Sequence, residues 1–135
     1  MPHVKFEGSL DVDRAWRQPP AFDFSVPEED LHVKFEESYL SSRGTSLLFR
    51  YVVSEGRLTQ RAGLLLCRDG EGWILKVDRA APLLRTPGVK TLLATVAAWA
   101  QELGLRKTAS TVEAYEGRGA FHAAHHRPAP TQGGP

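Results

Sequence analysis

The chain has 135 residues, of which 41% are hydrophobic and 24% charged, and its net charge is +1. That length gives one domain able to bury a real core, and the small charge supplies no global field for nucleic acid or an acidic membrane. The single cysteine, Cys67, excludes an internal disulfide framework and any zinc site built from several cysteines. No apolar run approaches the length of a membrane span and no signal-peptide core opens the chain, so the expected location is the cytoplasm. Arg outnumbers Lys by 12 to 5, and Asn is absent. Scarce Asn, Cys and Met mark proteins of high-temperature organisms. A GC-rich genome gives the same Arg excess, so this bias speaks of source rather than function.

In chain order, Val4-Lys5-Phe6 suits a short edge strand. Residues 9–16 suit a turn or two of helix with Ser9 as N-cap, stopped by Pro19-Pro20. Phe22 and Phe24 alternate in an extended segment, and Ser25-Val26-Pro27-Glu28 matches a capping box opening one helical turn. In residues 31–39, Leu31, Val33 and Phe35 alternate with His32, Lys34 and Glu36, the pattern of a half-buried strand.

Ser42-Arg43-Gly44 then suits a three-residue hairpin loop. Pairing Ser41 with Thr45 sets Phe35 opposite Tyr51 and Glu36 opposite Arg50. A second turn at residues 54–57 pairs Val53 with Leu58, which sets Phe49 opposite Ala62 and Leu47 opposite Leu64. Asp69-Gly70-Glu71-Gly72 closes a third hairpin into residues 73–79. One face of this sheet carries Leu47, Phe49, Tyr51, Val53, Leu58, Leu64, Leu66, Trp73, Leu75 and Val77, and is the expected core face. The other mixes Arg50, Arg61, Lys76 and Asp78 with Leu48, Val52, Leu65, Cys67 and Ile74.

Thr86 is a good N-cap and Pro87 a good first helical residue. Val89, Leu92, Leu93, Val96, Trp99, Ala100 and Leu103 recur at helical spacing before Gly104. Residues 108–115 read as a final strand. The expected fold is therefore α+β: an antiparallel sheet of four to five strands with a β-β-β-α-β core. One long helix packs on one face, and short helical turns lie near the N-terminus. Residues 1–120 form the domain, and residues 121–135 a flexible tail rich in His, Pro and Gly.

No motif fixes a reaction: Gly-x-Ser-x-Gly, a P-loop and His-Glu-x-x-His are all missing. No catalytic residue, metal ligand or cofactor is assigned, and whether the chain is an enzyme stays open. His122 and His126 have a metal-ligand spacing if helical, yet Pro128 and Pro130 favour a tail with incidental affinity. Arg50, Arg61 and Lys76 are candidates for an anion site, against a solvated ion-pair network with Glu36 and Asp78. With the aromatics on the core face, base stacking lacks a platform, which argues against nucleic acid.

Arg85-Thr-Pro-Gly88-Val-Lys90, followed by Leu92-Leu93, Ala98-Trp99-Ala100, Leu103-Gly104-Leu105 and a strand, resembles the acetyl-CoA motif of the GNAT acetyltransferases. The resemblance covers residues 85–115. It implies that Arg85 and Gly88 open a loop whose backbone amides hold a pyrophosphate at a helix N-terminus. Lys90 stands where that motif has a small residue, and Pro87 removes one amide. The resemblance requires the final strand to run parallel to, and splay from, residues 73–79.

The leading expectation is a non-enzymatic binding or interaction module, alone or as a homodimer, working through the second sheet face. One helix cannot cover both faces, so either the segment with Trp16, Phe22 and Phe24 folds over that face or another subunit does.

Overall fold

Alternating apolar residues organise most of the chain into strands, and seven of them form one antiparallel sheet. A computed structural model describes residues 2–79 and 83–116. The strands are β1 (His3–Glu7), β2 (Asp23–Val26), β3 (Leu31–Leu40), β4 (Ser46–Glu55), β5 (Leu58–Asp69), β6 (Gly72–Val77) and β7 (Arg106–Ser110). Helix α1 (Val12–Arg17) follows β1, and helix α2 (Pro87–Glu102) lies between β6 and β7. The sheet order is β2-β3-β4-β5-β6-β1-β7, bent into a half-barrel. Among the described residues α2 is the one helix of seven residues or more.

This corrects the expected sheet of four to five strands with a β-β-β-α-β core. β1, expected at an edge, runs between β6 and β7, pairing Val4 with Leu75 on one side and Ser110 on the other. β2, expected as a loose extended segment, pairs Phe24 with Val33 as an edge strand. β1 joins through long-range pairing, to which local periodicity is blind, whereas β2 joins by a hairpin that pairs Val26 with Leu31. β7 ends at Ser110, and Glu113–Tyr115 is a 3-10 turn where the strand was expected to continue. Asp11, not Ser9, caps α1 by accepting from the Arg14 N–H.

Register, too, differs from expectation. Gly56 and Gly70, with φ of +57° and +62°, each occupy the first central position of a two-residue turn, the type II′ pattern. The first of these turns is shorter than the expected four residues. It pairs Glu55 with Leu58, and hence Phe49 with Leu64 and Leu47 with Leu66. The shift is an even number of residues, so every side chain keeps its face. In β3 a bulge follows Phe35: Phe35 still meets Tyr51, but Glu37 rather than Glu36 meets Arg50.

The concave face holds the core. Val4, Phe24, Val33, Leu47, Phe49, Tyr51, Leu64, Leu66 and Leu75 are fully buried on it. Helix α2 lies in this trough, with Val89, Leu92, Leu93, Val96 and Ala100 all inaccessible. Burial extends round its other sides to Thr91, Ala94, Thr95 and Ala97, which is why charge is nearly absent along the helix. Each apolar Å² removed from water contributes about 25 cal/mol, so this enclosure dominates the stability. The Trp99 ring meets Phe49 edge-on at 5.4 Å.

The segment before β2 closes the open side of the trough. Trp99 Nε1 donates to the Gln18 carbonyl at 3.1 Å, and the Tyr51 hydroxyl donates to the Pro20 carbonyl at 2.5 Å. Phe22 and Phe24 therefore enter the core, and do not fold over the convex face. No helix of the described residues is long and apolar enough to cross a membrane. The expected tail and its histidines at 122, 125 and 126 lie outside the described residues.

Candidate functional site

The convex face of β3–β6 is built by the residues that alternate with the core. β4 presents Leu48, Arg50 and Val52; β5 presents Arg61, Gly63, Leu65 and Cys67; β6 presents Ile74 and Lys76. Registration sets Leu48 beside Leu65, Leu65 beside Lys76, and Cys67 beside Ile74. Leu48, Val52, Leu65, Cys67 and Ile74 are all half-buried. Leu48, Leu65, Cys67 and Ile74 form a continuous apolar strip across three strands, with Val52 set apart from it by Arg50 and no element of the described residues laid over it.

Arg50 and Arg61 do not oppose each other, because the two-residue turn sets Arg50 against Gly63 and Arg61 against Val52. Each has its own carboxylate: Arg50 Nη1 lies 3.7 Å from Glu37 Oε1, and Arg61 Nε lies 3.2 Å from Glu36 Oε1. The bulge in β3 places these two consecutive glutamates so that each reaches a different arginine. The Arg50 guanidinium also stacks 5.5 Å from the Tyr39 ring, whose phenol is raised above its usual value chiefly by a hydrogen bond to Glu37. Two of the three expected anion-binding cations thus each have a carboxylate partner on the same face, in solvent-exposed pairs.

Lys76 is half-buried and lines a shallow depression of about 330 Å³ with Leu65, Val77, Asp78 and Arg79. Burial pushes the Cys67 thiol up, and the Lys76 charge opposes that shift. A thiol so placed is a poor nucleophile. Gly63 brings β6 close: a Cβ there would stand 3.3 Å from Asp78 Cβ and 3.4 Å from Leu48 Cδ1.

Arg85 and Gly88 lie elsewhere, at the start of α2 in the trough. Gly88 is buried and Arg85 is exposed. The helix N-terminus is occupied by the chain itself: Glu55 Oε2 accepts the Gly88 N–H at 3.0 Å, and Glu55 Oε1 accepts the Thr86 hydroxyl. An internal carboxylate stands where the acetyl-CoA resemblance needs a pyrophosphate. The strand geometry differs as well, since β1 separates β7 from β6. Glu55, read from sequence as a turn residue, is the fifth inward position of β4 after Leu47, Phe49, Tyr51 and Val53. That alternation was the signal.

A second cluster lies on the convex side of the β2–β3 hairpin. Ser25 Oγ and His32 Nδ1 are 2.6 Å apart, and His32 Nε2 lies 3.4 Å from Asp23 Oδ1. Ser25 was expected to cap a helical turn, and His32 to lie on the polar side of a half-buried strand. Pro27–Glu29 instead has no side-chain cap. Pairing Val26 with Leu31 across that turn brings Ser25 opposite His32.

Among the described residues no group of three or more His, Cys, Asp or Glu is placed to hold a metal. No family model matches the chain, and neither does any curated protein or solved structure.

Proposed function

We propose that this chain is a protein-interaction module that docks a second copy of itself on the convex face of β4–β6. The observation that carries the reading is the apolar strip Leu48–Leu65–Cys67–Ile74, over which no element of the described residues is laid, with Phe22 and Phe24 committed to the other face. A two-fold interface sets one patch against itself, so its charges must be self-complementary. Here Arg50 and Arg61 alternate with Glu37 and Glu36 around the strip, and Lys5 lies 4.0 Å from Asp69 at its far end. Tyr39 and Arg50 beside Leu48 add the residue types that dominate interface energetics.

Sedimentation velocity over a concentration series tests this reading. A dimer that dissociates on dilution, and that Leu65→Glu converts to a monomer with unchanged circular dichroism, supports it. A monomer at every concentration overturns it.

A further inference from the structure

The Ser25–His32–Asp23 cluster is independent of the docking face, and we infer that it makes Ser25 a nucleophilic serine that accepts an acyl group from an activated ester or thioester. The argument starts from the backbone. The Phe22 carbonyl accepts from the Phe35 N–H, so Phe22 and Phe35 form a hydrogen-bonded pair of the ladder. By alternation Ser25 and His32 form a non-hydrogen-bonded pair, the kind in which facing side chains stand closest. Strand pairing, rather than a loop, therefore sets the distance of 2.6 Å between Oγ and Nδ1.

Asp23 decides the direction of that bond. Its carboxylate lies 3.4 Å from Nε2 and favours the tautomer with the proton on Nε2. Nδ1 is then an acceptor, and the Ser25 hydroxyl donates to it. Nucleophile and base stand within hydrogen-bond reach, as nucleophilic catalysis requires, and the carboxylate stands on the far side of the base at ion-pair distance. Alternation also turns the Ser25 N–H outward from β2, the outermost strand, where it can donate to an oxyanion forming on a carbon attached to Oγ. Lys34 stands opposite Asp23, and from β4 the residue facing His32 is Ser54.

In the step, Oγ bonds to the acyl carbon as its proton passes to Nδ1. The bond from that carbon to the leaving oxygen or sulfur then breaks, and the leaving atom takes the proton from Nδ1. Acyl-Ser25 and a free alcohol or thiol result, with neutral imidazole restored. Half of the His32 side chain is exposed (53%), so the acyl donor needs no enclosed pocket.

The test uses p-nitrophenyl acetate with the full chain, followed by peptide mass spectrometry. The expected result is acetylation at Ser25, at a rate that depends on the His32 imidazole. His32→Gln should slow it about 100-fold, the lower range for a lost general base, with Asp23→Asn between the two. Acetyl groups confined to lysines, or Ser25 acetylation at an unchanged rate in His32→Gln, would overturn the assignment. His32 points to solvent, so its substitution leaves the fold intact, and circular dichroism checks this.

Discussion

Glu55 and Gly88 are in direct contact: the carboxylate ending the inward row of β4 receives the first backbone N–H of α2, Pro87 having none, at 3.0 Å. The same carboxylate accepts the Thr86 hydroxyl, whose oxygen in turn accepts the Val89 N–H at 3.3 Å. The end of the central hairpin and the start of the long helix are thereby joined in one network. A negative charge at a helix N-terminus contributes about 0.3–1 kcal/mol, and more when partly buried.

Gly88→Ala should destabilise the protein, although alanine replaces glycine inside a helix. Helix propensity alone favours alanine by about 0.8–1 kcal/mol. A Cβ at Gly88 would, however, collide with the Glu55 carboxyl carbon and stand 2.6 Å from one of its oxygens, and overpacking costs about 1–3 kcal/mol. Urea unfolding should therefore show a net loss for Gly88→Ala. In a Glu55→Ser background the same substitution should turn neutral or stabilising, a coupling that a double-mutant cycle measures.

Tyr51 ties the strap before β2 to the centre of the sheet. Burial pushes its phenol well above the usual value, so the neutral, donating form is held in the folded state. A group raised on folding contributes stability that is complete below its unfolded pKa, about 10, and is lost as pH rises beyond it. Unfolding midpoints should fall steeply above that pH. Tyr51→Phe removes this bond while the Pro20 carbonyl keeps the Phe22 N–H at 2.9 Å; it should cost about 0.5–1.5 kcal/mol and flatten the alkaline limb.

Thr91 offers a stabilising substitution. Its side chain is fully buried on α2, and its hydroxyl has no hydrogen-bond partner among the described residues. Thr91→Val keeps the shape and removes the unsatisfied group. Thermal denaturation should show a gain of about 1 kcal/mol.

Cys67 reports on the convex face. Burial raises its thiol, so little thiolate is present near neutral pH. Alkylation by iodoacetamide should be slower than that of a free cysteine and should accelerate with pH. If the convex face pairs two copies, the rate should fall further as protein concentration rises. Leu65→Glu should remove that concentration dependence.

The sequence by itself determined which side of β4, β5 and β6, and of β3 up to its bulge, faces the core. Alternation in residues 31–35 and 47–53, and the helical spacing of residues 89–103, are local patterns with periods of two and 3.6. They survive a register error of two residues, which is why Phe49 and Leu64 belong to the core whichever pairing holds. Only the tertiary structure decided which strands are neighbours. His3–Glu7 pairs with Arg106–Ser110 across a hundred residues, and nothing local to either segment encodes that choice. The same holds for the functional clusters. A one-residue bulge divided two glutamates between two arginines, a shortened turn separated those arginines, and one hairpin brought Ser25 to His32. Turns and bulges set these meetings through backbone geometry. Their effect lies several residues away from the residues that specify them.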